Sequence, residues 1–361
     1  RNLETGDDQW LAYPVQRDDQ ESRATRDLMP GSAFTPDSSA LITSFDGKIW
    51  RVAVPGGAIA PIPFTAHVEQ QIGPKLDFDY AVDQGPVTAQ QIRHPVLSPD
   101  GTKLAFTAFD RLYGMDYPNG TPRRLTSAAA GEHQPAWSPD GAHIVYVTWS
   151  DADAGHVRRV PAAGGRVETL TRVPSFYSEP IYTPDGSRIV VVRGPRVERM
   201  EDFSSSGTGG QGLDLMWMPA AGGDLTRIAP HRGDAPHFGP ENDRIYVWEG
   251  RNGLVSFRFD GTDRREHVKV TGYRAPAAQQ ASQASSARIS PDGRFVLVEA
   301  ERNLFVVSIP VIGGEPTTIS VAHPESASVP VRRLTRVGGE FGRWAAKGDR
   351  ATWAIGRAFF D

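Results

Sequence analysis

The chain has 361 residues and no Cys, and its 37 Gly and 29 Pro exceed the usual shares of about 7% and 5%. Lys and Arg total 39 against 43 Asp and Glu, and the basic residues are spread along the chain, which argues against a nucleic-acid partner. The lack of Cys excludes disulfides, thiolate zinc sites and cysteine nucleophiles, and no apolar run approaches the roughly 18 residues of a membrane span.

A short turn motif recurs along the chain. The five clear copies are Phe34-Thr35-Pro36-Asp37, Ser98-Pro99-Asp100-Gly101, Ser138-Pro139-Asp140-Gly141, Thr183-Pro184-Asp185-Gly186 and Ser290-Pro291-Asp292-Gly293. Two degraded copies are Gly239-Pro240-Glu241-Asn242 and Ala345-Ala346-Lys347-Gly348. We call the Asp of each Pro-Asp turn, or the residue equivalent to it, the marker: Asp37, Asp100, Asp140, Asp185, Glu241, Asp292 and Lys347. Markers recur about every 50 residues, close to the length of a propeller blade.

Each motif predicts a tight turn that leads into a strand. Pro fixes φ near −65°, Asp bonds nearby backbone, and Gly accepts a positive φ. Apolar, β-branched and aromatic runs of strand length follow the turns. They are Lys103–Thr107, His143–Val147, Arg188–Val192, Arg244–Trp248 and Arg294–Val298.

These repeats predict an all-β fold, a single β-propeller over residues 1–361. The start, Arg1–Leu11, aligns with the third-strand segment Met115–Leu125, whereas the tail supplies first, second and third strands. We therefore expect seven blades, closed by pairing of the N- and C-terminal segments, with six blades as the alternative. Residues 1–15 would complete the last blade, 16–33 would be a connection, and 194–212 a flexible insertion within a blade. The start at Arg1, without Met or a signal segment, indicates a processed or excised chain.

The blade turns resemble those of the TolB-like family of bacterial propellers. A narrower likeness runs through Trp10–Ser22, Gly47–Val52, Arg93–Gly101 and Tyr146–Asp151. These strings are similar to the propeller region that precedes the catalytic domain of large amidohydrolase-related proteins. The resemblance implies a periplasmic or secreted bacterial protein and, as partner, a metal-dependent hydrolase domain C-terminal to Asp361.

Catalytic motifs are missing from the chain itself. Its nine His never stand two apart, so the His-x-His pair of an amidohydrolase metal site is lacking, and neither His-Glu-x-x-His nor Gly-x-Ser-x-Gly occurs. We expect no catalytic residues, no cofactor and no transition-metal site. Asp151 and Asp153 are a weak calcium candidate, for which an ordinary polar turn is the alternative.

Two functions fit these observations. The first is a non-catalytic interaction and scaffold module of a larger amidohydrolase-related protein. The alternative is a free-standing periplasmic propeller that binds a protein or peptide, as the TolB likeness allows. A third, intrinsic hydrolysis, has little support because the nucleophile and metal motifs are missing.

One binding site can be predicted from the blade register. The innermost strand of a blade should enter each Pro-Asp-Gly turn, so residues six or seven positions before the markers should form a ring at one channel mouth. These residues are Arg93, His94, His133, Gln134, Glu179, Asp234 and Glu340. We expect Pro95, Pro135, Pro180 and Pro236 to mark where the inner strands begin. The alternative is that the ring residues are solvated side chains facing a water-filled channel.

Overall fold

The computed structural model describes residues 10–13, 15, 31–73, 85–196, 212–310 and 316–361. The chain divides into two compact units. The N-terminal unit comprises Arg1–Thr88 with Arg199–Gly209, and the main unit comprises Ala89–Glu198 with Gly210–Asp361. The predictions for residues 1–15, 16–33 and 194–212 lie largely outside the described residues.

The described residues of the N-terminal unit form one four-stranded antiparallel sheet. Its strands pair in chain order: β1 (Ala33–Phe34), β2 (Ala40–Phe45), β3 (Lys48–Ala53) and β4 (Ile59–Ile62). Thr35-Pro36-Asp37 is the turn between β1 and β2, and the side chain of Thr35 donates to that of Asp37 at 2.6 Å. Ala40 and Val52 are buried in this sheet, whereas Phe34, Ile59 and Ile62 are exposed.

Six sheets make up the described part of the main unit. The first sheet comprises β5 (Arg93–Leu97), β6 (Lys103–Ala108), β7 (Arg111–Asp116) and β8 (Arg123–Arg124). The second comprises β9 (Gly131–Trp137), β10 (His143–Ser150), β11 (Ala154–Pro161) and β12 (Glu168–Thr169). The third comprises β13 (Phe176–Tyr182), β14 (Arg188–Gly194), β15 (Asp214–Pro219) and β16 (Thr226–Pro230). The fourth sheet comprises β17 (Arg244–Trp248), β18 (Leu254–Arg258), β19 (Arg265–Thr271) and β23 (Thr317–Ser320). The fifth comprises β20 (Ser286–Ile289), β21 (Phe295–Ala300), β22 (Asn303–Ser308) and β24 (Val331–Arg333). The sixth comprises β25 (Glu340–Trp344), β26 (Ala351–Ile355) and β27 (Ala358–Phe360). Among the described residues, 3-10 helices lie at Gly250–Asn252 and Pro324–Ser326.

The fourth sheet departs from the simple pattern. Its strand before the turn is reduced to a bridge between His237 and Tyr246. Its outer strand, β23, pairs in parallel with β19 and comes from the connection between β22 and β24 of the next sheet. The sequence did not predict this exchange, because β23 carries no turn signal that assigns it to a sheet.

The predicted turn chemistry is confirmed. In the Ser98 copy, the Ser98 hydroxyl donates to Asp100 at 2.6 Å, and Asp100 accepts from the Thr102 amide at 3.0 Å. Gly101 has φ of 76° and donates its amide to the Ser98 carbonyl. The side chains of Ser138, Thr183 and Ser290 donate to the Asp two residues later in the same way.

The strands after the turns form the core of the main unit. In β10, Ile144, Val145 and Tyr146 are fully buried. Such continuous burial requires a neighbour on each face, and residues of adjacent sheets share hydrophobic clusters. Indole groups join sheets as well, since Trp137 Nε1 donates to the Val96 carbonyl at 3.0 Å.

The sixth sheet packs against the first sheet of the main unit. Ala354 of β26 is buried in one cluster with Ile92, Leu104 and Phe106. The Ile92 amide also donates to the Gly356 carbonyl at 3.0 Å. The described chain is therefore all-β with a propeller-like fold, as predicted, and the predicted tail strands are confirmed in β25, β26 and β27.

The role predicted for three prolines is wrong. Strands β5, β9 and β13 begin before Pro95, Pro135 and Pro180, which lie inside them. Each of these strands has a register shift at its proline. A bulge leaves one residue outside the hydrogen-bond ladder, so the missing proline amide is tolerated there.

Candidate functional site

A cavity of about 430 Å³ opens in the main unit, among the strands that enter the turns. Four of the six sheets contribute side chains to it, as does Asp234 in the segment that leads to β17, and most of these side chains are polar or charged. The lining residues are Gln91, Arg93, His94, Glu179, Asp234, Ser285, Ser286, Arg288, Glu299, Glu340, Phe341, Gly342 and Arg343.

Some of the lining residues lie at β-bulges in their strands. His94, Gln134, Glu179 and Phe341 occupy the same position of β5, β9, β13 and β25, and their φ angles are 49°, 54°, 52° and 58°. This left-handed region is uncommon for residues other than Gly, and the strain it imposes is of order 1 kcal/mol or more. Four strands thus hold the same unfavourable conformation at the cavity or directly beside it.

Gln134 supports Glu179 from the neighbouring strand. Its side-chain amide donates to Glu179 Oε1 at 2.5 Å, and its amide oxygen accepts from the Glu179 backbone N–H at 2.9 Å. Burial raises the pKa of Glu179, opposed by the charges of Arg343 and Arg288. Arg343 Nη2 lies 3.9 Å from Glu179 Oε2. The carboxyl group of Glu179 is therefore fixed in position at the cavity wall.

The side chains of Arg288 and Arg343 both line the cavity. Burial lowers the pKa of Arg343 to about 10, with Arg288 the next cause, so Arg343 still carries its charge at neutral pH. Only 18% of the Arg343 side chain is exposed. Among the described residues, its buried Nε has no hydrogen-bond partner.

The carboxylates of the cavity also influence one another. Burial raises the pKa of Glu299, and the charges of Asp234 and Glu340 raise it further. Gln91 donates to Glu340 at 2.7 Å. Burial lowers the pKa of His94 to about 3, and its ring lies 4.7 Å from that of Phe341, so the imidazole is neutral at physiological pH. The cavity can thus offer charged groups of both signs to a polar ligand.

The structure brings most of the predicted ring residues together. Arg93, His94, Glu179, Asp234 and Glu340 line the cavity, whereas His133 and Gln134 do not. His133 Nδ1 lies 3.8 Å from Asp110 Oδ1, and Gln134 holds Glu179. The binding role of these residues stays a prediction.

Several lining residues were missed by the sequence prediction. Ser285 and Ser286 stand at the same offset before Asp292 as the predicted residues before their markers. Arg288 and Arg343 both stand four positions before a marker, where β5, β9 and β13 have Val96, Ala136 and Ile181. A guanidinium at a position that is apolar in β5, β9 and β13 was a signal that the sequence already carried.

The weak calcium candidate lies in the turn between β10 and β11. Asp151 accepts from Trp149 Nε1 at 2.7 Å, and Asp153 accepts from the Ser150 hydroxyl at 3.3 Å. In the part of the chain that the structure describes, no group of three or more His, Asp or Glu side chains is placed to hold a metal ion. Calcium binding at Asp151 and Asp153 stays a prediction.

A serine–histidine pair was not predicted. Ser256 Oγ lies 2.7 Å from His267 Nε2 and also accepts from Arg244 Nε at 2.9 Å. Ser256 is fully buried, and Arg244 is 1% exposed. Since no substrate can reach that oxygen, the pair serves to satisfy the buried guanidinium.

Comparisons with known proteins show limited likeness in sequence. No family model matches the chain. The uncharacterized peptidase YuxL of Bacillus subtilis is 26% identical over 110 residues, which is 28% of this chain and 17% of that protein. The matched segment is thus a small part of the relative.

Solved structures show a likeness in fold. TolB from Acinetobacter baumannii has a TM-score of 0.39 and 21% identity over 66% of this chain, which spans 54% of that protein. XC5397 from Xanthomonas campestris, a gluconolactonase, has a TM-score of 0.50 and 16% identity over 75% of this chain and 85% of that protein. At these identities the likeness concerns the fold alone. Among the described residues, no helix has the length and apolar character to cross a bilayer.

Proposed function

We propose that this chain is a non-catalytic β-propeller module that binds a polypeptide segment in the cavity. The observation that carries the proposal is the convergence on one cavity of polar side chains from four sheets and from Asp234 in the segment before β17. Cavities with a few well-placed polar groups are the usual sites of ligand binding. The strained residues His94 and Glu179 support it, because such strain is concentrated at functional sites.

We propose further that residues 89–361 form a six-bladed propeller. The packing of β26 against the cluster of Ile92, Leu104 and Phe106 supports this count over the seven-bladed one. Closure would then come from β25, β26 and β27, and would not need residues 1–15. Six sheets arranged in this way leave no sheet face of the ring open.

The module would accompany a hydrolase domain in a longer protein. The support is the resemblance of its motifs to the propellers of amidohydrolase-related proteins, and the match of 110 residues to part of a protein named as a peptidase. The same resemblance supports a location in the periplasm or outside the cell. The alternative is a free-standing periplasmic binding propeller. Intact mass of the source protein separates the two, because a hydrolase domain with His-x-His after Asp361 requires a much longer chain.

A synthetic library of octapeptides tests binding in the cavity. Peptides retained by the immobilised chain are identified, and their affinities are compared with those for a His94→Ala, Glu179→Gln double variant. We expect a loss of about tenfold or more, because Glu179→Gln removes hydrogen bonds to a charged group, worth roughly 1.5–3 kcal/mol each, and His94→Ala removes neutral ones worth about 0.5–1.5 kcal/mol each. The melting temperature should stay within a few degrees.

The matched control is His323→Ala with Glu325→Gln. These two side chains are 69% and 75% exposed, with His323 Nδ1 3.5 Å from Glu325 Oε1, and are not among the residues lining the cavity. The control should bind every selected peptide as the parent chain does. Retention of no octapeptide, or equal affinity of all three proteins, contradicts the proposed function.

A further inference from the structure

Arg288 and Arg343 occupy equivalent positions in neighbouring sheets. Each stands four residues before its marker, on β20 and β25. The indole Nε1 of Trp344 donates to the Arg288 carbonyl at 2.9 Å and so ties β25 to β20 at this point. The backbones that carry the two guanidinium groups are therefore held in register without help from the guanidinium groups themselves.

The environment leaves the Arg343 guanidinium incompletely satisfied. Its Nε is buried without a hydrogen-bond partner among the described residues, and its nearest carboxylate oxygen, Glu179 Oε2, lies 3.9 Å from Nη2. That separation is too long for a hydrogen bond. Glu179 is already engaged by Gln134 through both its carboxylate and its backbone amide. A buried donor without a partner is costly. The Arg343 side chain lines the cavity and is 18% exposed, so a ligand there can accept hydrogen bonds from its guanidinium group.

Guanidinium geometry determines which ligand fits. The planar fork of Arg donates two parallel hydrogen bonds and matches a carboxylate. The neighbouring carboxylates Asp234, Glu299 and Glu340 line the same cavity and would repel an anion of higher charge, such as a phosphate dianion. A single carboxylate with a polypeptide behind it suits the space of about 430 Å³.

We propose that Arg288 and Arg343 form a carboxylate-binding subsite within the cavity. Resting on the proposed function, the subsite takes a carboxylate of the bound polypeptide, which is either its C-terminal carboxylate or an Asp or Glu side chain. Arg343 and Arg288 each supply a guanidinium group that donates to this carboxylate. The acidic residues of the cavity then face the remainder of the peptide and favour basic or neutral neighbours.

A direct test uses N-acetylglycine as the probe and N-acetylglycinamide as its neutral control. The Nε–H signals of Arg288 and Arg343 in the intact chain are followed by NMR and assigned from Arg288→Lys and Arg343→Lys variants. We expect a saturable shift of the Arg343 signal with the acid and none with the amide. Each Lys variant should bind the acid about tenfold more weakly, since Lys keeps the charge but loses the fork. Arg251→Lys, an exposed arginine outside the cavity lining, is the matched control and should bind as the parent does.

The peptides selected by the octapeptide library identify the source of the carboxylate. A loss of about tenfold on C-terminal amidation assigns the C-terminus, and a similar loss on Asp→Asn or Glu→Gln exchange within the peptide assigns a side chain. Either result supports the subsite. Peptides that bind and are indifferent to both changes overturn the subsite and leave the proposed function standing. If no octapeptide binds, the proposed function fails, and the N-acetylglycine titration still decides the subsite, because an unshifted Arg343 signal overturns it.

Discussion

The same turn occurs in both units of the molecule, but the strands that follow it differ in burial. Thr35 and Asp37 form the side-chain hydrogen bond that Ser98 and Asp100 form, at 2.6 Å in both cases. Four residues after the marker, however, Leu104 is 3% exposed, whereas Leu41 is only half-buried. The local chemistry of a turn therefore specifies a strand pair, while burial depends on which sheets pack against that pair.

Among the tests of this difference in burial, deletion of whole segments should have the largest effect on stability. Removal of residues 338–361 should abolish cooperative folding of the main unit, because it strips the cluster of Ile92, Leu104 and Phe106 of its covering sheet. Removal of residues 1–88 should shift the melting temperature of the main unit by less than about 5 °C. Circular dichroism during heating measures both. A chain lacking 1–88 that unfolds as readily as one lacking 338–361 would show that six sheets do not close alone, and would favour seven blades.

Much of this fold follows from the sequence because its signals are local. Pro, Asp and Gly determine each turn within four residues, and continuous apolar runs such as those of β10 and β14 identify strands without reference to the rest of the chain. The grouping of the sheets could not be predicted, because Asp37 carries the same turn signal as Asp100. Which sheets pack together depends on burial between distant parts of the chain, and a turn motif carries no information about it.

The site was predicted in part for the same reason. A fixed offset from the markers finds Arg93, His94, Glu179, Asp234 and Glu340, since register within a strand is local. The bulges were missed, because a left-handed residue before Pro is not what the sequence normally favours. The support of Glu179 by Gln134 was missed as well, since it crosses from β13 to β9.

A matched pair of leucines measures the effect of burial. Leu104→Ala should lower the free energy of unfolding by about 2–5 kcal/mol, because it opens a cavity in a packed core. Leu41→Ala, at the same offset from its marker, should cost about 1 kcal/mol or less, because its side chain is only half-buried. Urea unfolding of each variant gives the comparison. Equal losses would mean that the two sheets are equally packed in solution.

Exchange of the left-handed turn residues should have a smaller effect. Gly101 has φ of 76°, and Ser38 holds the equivalent position with φ of 58°. Gly101→Ser should cost about 1 kcal/mol, as expected for a side chain in this region, and a Cβ there would meet nothing within 4 Å. Ser38→Gly should stabilise its sheet by about 0.5 kcal/mol, the relief of strain being partly offset by the greater freedom of unfolded Gly. Urea unfolding measures both, and a stabilising Gly101→Ser would contradict the shared turn geometry.

The smallest effect should appear in the pH dependence of the two turns. Hydrogen bonds from Thr35 and Ser98 are the largest causes that lower the pKa of Asp37 and Asp100 to about 2, from an ordinary value of 3.8. Because the folded pKa lies below the unfolded one, each ionised Asp stabilises the fold above about pH 4, and this contribution is lost as the pH falls towards 2. Asp37→Asn and Asp100→Asn should each make stability fall less steeply over that interval, and by similar amounts, since the two turns share their chemistry although their strands differ in burial. Urea unfolding at a series of pH values, with NMR titration of the two carboxyl carbons, measures this directly. An Asp100 carboxyl that titrates near its ordinary value, or a slope that changes in only one variant, would show that the turns are not equivalent.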